Sequence, residues 1–184
     1  GLFAAVATLL PLIISGGIHM DGFLDTVDAL SSHAPPEKKL EIMSDPHMGA
    51  FGVIGCGFYL LLSFGLWCQV YATPRLMLFP VVGYVLSRSL SGWGVAHFPC
   101  AKTSGLVYFF SGGASRLGVT LCCGGGVALS LGFLLWLEPF WGAVNAVLCL
   151  VYAAAHKRML LREFGGNTGD LSGFLSQTIE LLTL

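Results

Sequence analysis

Charge is what this sequence has least of. Only 10% of its 184 residues are Asp, Glu, Lys or Arg, while 55% are hydrophobic and the mean hydropathy is +0.78. Soluble domains carry roughly a quarter charged residues, so the shortage excludes an ordinary water-soluble domain and predicts an all-α, polytopic membrane bundle forming a single domain over residues 1–184. Paired metal-type cysteines are missing too. Cys56, Cys68, Cys122, Cys123 and Cys149 lie in apolar runs without C-x-x-C spacing, which excludes a zinc or dithiol site and predicts small buried hydrophobes. Gly124-Gly125-Gly126 has no following Lys-Ser/Thr, so it is not a P-loop. No basic segment or small-residue cleavage site precedes the opening apolar run, which is therefore read as a retained span and not a signal peptide. Gly1 and Leu184 both stand inside apolar surroundings, and both ends are expected to be cut.

What is present is a series of apolar segments, at about 2–18, 50–72, 76–98, 118–137, 139–155 and 171–184, five to six crossings at the ~20 residues a bilayer requires. Their parity puts the connections 19–49, 99–117 and 156–170 on one face. That face holds Lys38, Lys39, Lys102, Arg116, Lys157, Arg158 and Arg162, against Arg75 alone on the other. The positive-inside rule assigns it to the cytoplasmic side of the cell membrane. Residues 19–48 run the opposite way, with six acids against two lysines. An acidic patch ringed by basic loops suits a polyanionic substrate held through a divalent cation. For any single basic residue, a topology signal is the simpler reading.

The chemistry is placed in GGIHMDGFLDTVD (16–28). On a helix, Asp21, Asp25 and Asp28 stand i, i+4, i+7, within roughly 60° of one another, and form a carboxylate rail. Three close anions raise one another's pKa, and Mg²⁺ is the usual remedy because it takes oxygen ligands and leaves positions for phosphate. The alternative is a solvated helix face, which seldom follows a membrane-type run directly. Ser31 to Pro36 should end that helix, and a short second one should bring Glu41 and Asp45 to one face before Pro46 stops it. Arg88, deep in an apolar segment, is either a phosphate ligand or a snorkelling interfacial residue. The turn Gly165-Gly166-Asn167-Thr168-Gly169 offers backbone amides to phosphate. Asp170 beside it is a helix cap or a further metal ligand.

Four blocks, GGIHMDGFLDTVDA (16–29), KKLEIMSDPHMGAFG (38–52), Ser87-Arg88 and GGNTGDLSG (165–173), resemble the cobalamin synthase family, the adenosylcobinamide-GDP ribazoletransferases. The resemblance runs along the whole chain, with the family's N-terminal segment absent, Lys38 where many members have Arg, and Gln177 where many have Glu. It implies an integral membrane, Mg²⁺-dependent transferase whose partners are a corrinoid nucleotide and ribazole, or its 5′-phosphate, and the lipid bilayer, with no nucleic acid. GMP would be released by phosphoryl transfer. In that chemistry Asp21 and Asp25 are the expected principal Mg²⁺ ligands. Asp28, Glu41, Asp45 and Asp170 are secondary ligands or the general base, and His19 is a base candidate. Arg88, Gly165, Gly166, Thr168 and Gly169 are the expected phosphate contacts. A phosphatidyl-alcohol transferase and a divalent-cation transporter are the competing readings.

Overall fold

The computed structural model describes residues 1–113 and 115–184, and Ala114, within the expected 99–117 connection, lies outside them. The described chain is a helical bundle, as the composition predicts. Helix α1 (Leu2–Ile14) meets α2 (Ile18–Ser31) at a bend of 92°. Gly16 and Gly17 make that bend with φ of 62° and 77°, the left-handed region where a side chain is strained. The short α3 (Pro36–Ile42) begins, as expected, with Pro36 in its first turn. Then come α4 (Ala50–Tyr71), a 3₁₀ turn (Pro74–Met77), α5 (Leu78–His97), α6 (Leu106–Gly113), α7 (Arg116–Leu137), α8 (Pro139–Glu163) and α9 (Gly169–Thr183).

Among the described residues three helices, α4, α7 and α8, are long and apolar enough to cross a membrane, and the bent pair α1 and α2 makes up to four. The expected five to six is not reached by that measure: α5 carries Arg88 at its middle and α9 has 15 residues. Helix α8 corrects another boundary. It runs on to Glu163, where an apolar segment ending at 155 was expected, because His156 to Arg162 keep the helical period after the apolar run stops. Only residues 164–168 then connect α8 to α9. The cysteines also differ from expectation. Cys149 is buried, but Cys68 and Cys122 are exposed on the outer faces of α4 and α7, where lipid and not protein would solvate them.

Helix α9 is the centre of the bundle and packs on α2, α5 and α8. Leu171, Leu175 and Ile179 are buried along it, together with Ser172, Ser176, Gln177 and Glu180. Its polar residues are mostly satisfied locally; the Ser176 hydroxyl, for example, donates to the Ser172 carbonyl at 3.0 Å. Helix α3 docks on the end of α8 through Lys39, 4% exposed, whose ammonium meets Glu163 at 2.5 Å and sits over the Phe164 ring. Met43, Leu160, Phe164, Leu171 and Ala29 close the apolar cluster beneath. Helices α2 and α3 are thus held at the start of α9.

Between membrane helices there is little hydrophobic driving force, so close backbone approach and packing decide stability. The tightest such approach near the rail is Gly22 on Asp170, where a Cβ on Gly22 would fall 2.6 Å from the Asp170 Cα. Gly22→Ala should therefore force α2 and α9 apart at a cost of about 1–3 kcal/mol. Thermal unfolding in detergent checks this, with Gly57→Ala as the control, since nothing lies within 4 Å of a Cβ there. Equal melting temperatures for the two variants would refute the packing account.

Candidate active site

The rail helix forms as expected, but its three aspartates have different surroundings. Asp21 is exposed, while Asp25 and Asp28 are half-buried. Asp28 is drawn to α4: the amides of Gly49 and Gly52 each donate to one of its carboxylate oxygens at 2.9 Å. These are orphan donors in the first turn of α4, and an anion there also meets the positive end of the helix dipole. Asp28, expected as a metal ligand and catalytic residue, thus works as a cap supplied by another helix.

Asp25 faces a cavity of about 140 Å³ lined also by Asp28, Ile42, Asp45, His47 and Gly49. Outside the three long spans, burial together with Asp21, Asp170 and Asp28 pushes its carboxyl up to about 6, and Lys102 opposes them. Asp170 approaches from α9. Burial raises its carboxyl as well, with Asp21 adding to the rise and Lys102 countering it. Asp21, Asp25 and Asp170 therefore form one electrostatic unit joined through the Gly22 contact.

Glu41 and Asp45 correct the expectation of a second carboxylate pair on one helix face. Helix α3 stops at Ile42, and Asp45 precedes Pro46, which disfavours helical backbone before it. Glu41 is exposed and pairs with Lys38 at 2.6 Å, away from the cavity. Asp45 reaches the cavity, but its Oδ1 accepts the His47 amide at 2.9 Å and lies 2.8 Å from His47 Nδ1.

His19 and Arg88 are brought together elsewhere. Both line an apolar groove of about 550 Å³ between α1 and α5 that shares no lining residue with the Asp25 cavity. Arg88 pairs with Glu180 of α9 at 2.8 Å, and the Ser87 hydroxyl donates to the same carboxylate oxygen at 3.1 Å. A buried partner one helix away thus explains the arginine, where a phosphate or a snorkelling position was expected. Its side chain still keeps 40% exposure.

The glycine turn is partly spent. The Gly166 amide donates to Leu160 O at 3.3 Å and the Asn167 amide to Pro99 O at 2.7 Å, while Thr168 Oγ1 caps α9 by accepting from Leu171 at 3.2 Å. Gly165 and Gly169 remain exposed. In return, the Ala101 amide donates to Asn167 O at 2.9 Å, so residues 99–101 and 165–167 lie clasped. Gly166 is required there, because a Cβ would fall 2.6 Å from the Ala101 nitrogen. This clasp brings Lys102 to the acids, which the sequence, showing only a basic residue in a loop, did not reveal.

Among the described residues no group of three or more His, Cys, Asp or Glu side chains is placed to hold a metal ion by itself. The acids that act on one another there, Asp21, Asp25 and Asp170, offer hard carboxylate oxygens. Such a set fits Mg²⁺, which is commonly held by one or two carboxylates plus substrate phosphate and water, better than a metal needing an all-protein shell.

The family model described as cobalamin-5-phosphate synthase matches residues 1–184. The chain belongs to the cobalamin-5-phosphate synthase family. Similar curated proteins, each named adenosylcobinamide-GDP ribazoletransferase, come from Lachnoclostridium phytofermentans (39% identical, covering 98% of this chain and 69% of that protein) and Desulfitobacterium hafniense (38%, 98% and 71%). One from Clostridium perfringens strain 13 is 28% identical over 97% of this chain and 71% of its own length. No solved structure matches. In this chain Gln177 is 1% exposed, so the neutral amide spares the bundle a second buried acid on the helix that already carries Glu180.

Asp28→Ala should leave two α4 amides without their acceptor and cost about 1–3 kcal/mol. Hydrogen exchange at Gly49 and Gly52 should quicken. Unchanged exchange at both would show that the cap is not what holds the start of α4.

Proposed function

We propose that the chain is an adenosylcobinamide-GDP ribazoletransferase of the membrane, joining a corrinoid nucleotide to ribazole or its 5′-phosphate with release of GMP. The observation that carries this reading is the convergence of Asp21 and Asp25 on α2 with Asp170 at the start of α9, beside the exposed Gly165 and Gly169. Family membership favours it over a phosphatidyl-alcohol transferase or a cation transporter. In the reaction a ribazole hydroxyl oxygen bonds to the cobinamide-linked phosphorus, the bond to the GMP oxygen breaks, and the hydroxyl proton passes to a base.

Asp21 and Asp25 would hold Mg²⁺, which supplies charge neutralisation and orientation at the phosphoryl oxygens. Asp170 is the best placed base: Glu41 points away, Asp28 caps α4 and Asp45 is tied to His47, whereas Asp170 is half-buried opposite Asp25 with its carboxyl raised. Half-burial also suits a group that must take up a proton in the transition state. His19 belongs to the groove with Arg88, and neither is assigned a step.

Two expectations follow. Asp25→Asn removes a charged oxygen ligand with almost no change of shape, so GMP release should fall by at least ~100-fold, about 2.7 kcal/mol of transition-state stabilisation. Glu41→Gln, on the exposed Lys38 pair, should stay near wild type. A near-normal rate and Mg²⁺ dependence in Asp25→Asn would move the site off α2.

The site's face is read as cytoplasmic from the basic residues around it. Single cysteines at Ser32, Thr103 and Arg162, all exposed, should resist an impermeant thiol reagent in intact cells and react after permeabilisation. Labelling of any one of them in intact cells would break the shared-face topology.

A further inference from the structure

Lys102 has a position that its place in a loop does not explain. Residues 99–101 are clasped to 165–167 by the Ala101 to Asn167 and Asn167 to Pro99 hydrogen bonds, so the segment carrying Lys102 is fixed against the turn that opens α9. From there its ammonium reaches across to the turn after α3 and donates to Ser44 Oγ at 2.7 Å. The side chain therefore bridges two of the segments that frame the acids. Its charge acts on both Asp25 and Asp170.

Lys102 nevertheless has no ion-pair partner among the described residues. The contrast with its neighbours is informative: Lys38 is taken by Glu41, Lys39 by Glu163 and Arg88 by Glu180. A lysine that merely neutralised the acids would rest on one of them. Held instead by a neutral hydroxyl, this ammonium keeps its full charge and two further N–H donors. The acids beside it create a complementary difficulty, since Asp21, Asp25 and Asp170 repel an incoming diphosphate. A fixed cation held close to those acids, but not consumed by them, offsets that repulsion at the phosphate oxygens.

We propose that Lys102 is a substrate-binding and catalytic residue that donates to the non-bridging oxygens of the nucleotide's diphosphate. This rests on the transferase reading above. The competing account makes Lys102 a structural clasp whose purpose is the bond to Ser44, and the two accounts separate experimentally.

The protein, in membranes or nanodiscs with Mg²⁺, is assayed for equilibrium binding of adenosylcobinamide-GDP without ribazole, and then for GMP release. Lys102→Ala should raise the nucleotide Kd and lower kcat/KM for it by about 30-fold or more, in the range for removing a charged donor from a phosphoryl site. The KM for ribazole should stay within about 3-fold. Lys102→Arg, which restores a cationic donor, should recover most of the loss. Ser44→Ala, which removes the clasp and leaves the charge, should remain near wild type. Near-normal nucleotide binding and turnover in Lys102→Ala would overturn the proposal, and so would a Ser44→Ala defect matching that of Lys102→Ala. A wild-type chain that binds the nucleotide through Lys102 but releases no GMP would overturn the transferase reading while leaving this contact in place.

Discussion

The contact on which the site depends is the approach of α2 to α9 at Gly22 and Asp170. Packed helices with ordinary side chains stand 8–10 Å apart, axis to axis, and leave their backbones separated by those side chains. Here one backbone lies against the other, with Gly173 doing for His19 what Gly22 does for Asp170. Two consequences follow from the same geometry. Asp170 comes opposite the exposed side of the rail, and α9 is pressed into the bundle, where Leu171, Leu175 and Ile179 lose all or nearly all their exposure. The stability of the core and the assembly of the acids are therefore one interaction seen from two sides.

Charge compensation divides the molecule into two regions. Away from the acid cluster, the deeply placed charges are answered at short range: Glu180 by Arg88 and Ser87, Lys39 by Glu163, and Asp28 by two helix-terminal amides. A buried charge without such a partner is costly. At Asp21, Asp25 and Asp170 that rule is suspended. Burial and the neighbouring carboxylates raise Asp25 and Asp170, and the cation that acts on both, Lys102, is engaged with a hydroxyl. An unbalanced group of anions beside well-balanced ones marks where the bundle gives up stability for binding, which is the usual signature of a functional site.

Much of this was legible in the sequence. Low charge and long apolar runs gave the helical membrane class, Pro36 gave the start of α3, and i, i+4, i+7 spacing put three aspartates on one helix, while the 92° bend at Gly16 and Gly17 falls inside the first apolar segment expected at 2–18. All of these are local or compositional signals. What could not be read depends on which helices touch. Arg88 looked like a phosphate ligand or an interfacial residue because its partner, Glu180, lies more than ninety positions away. The glycine turn looked like a free amide cradle because its use by Pro99 and Leu160 is a tertiary fact. Glu41 and Asp45 differ for local reasons instead: α3 stops at Ile42, short of Asp45, and Glu41 is taken by Lys38 on the exposed face.

Asp25 and Asp28 show the limit most clearly, being the same residue type three positions apart on one helix. Spacing treats them alike. The difference comes from α4, which has a glycine as its N-cap at position 49 and another in its first turn at 52, so that this end presents bare amides with no side chain in the way. Asp28 is the rail residue level with that turn, and its carboxylate is taken by two donors at 2.9 Å. Asp25, one turn back along α2, faces the cavity and the anions around it. A carboxylate that satisfies a helix end is held in place by its donors. One crowded by other carboxylates is disfavoured in its charged form and gains from any cation brought to it. Residue identity was therefore enough to find the group, and only the neighbouring helix could assign the roles within it.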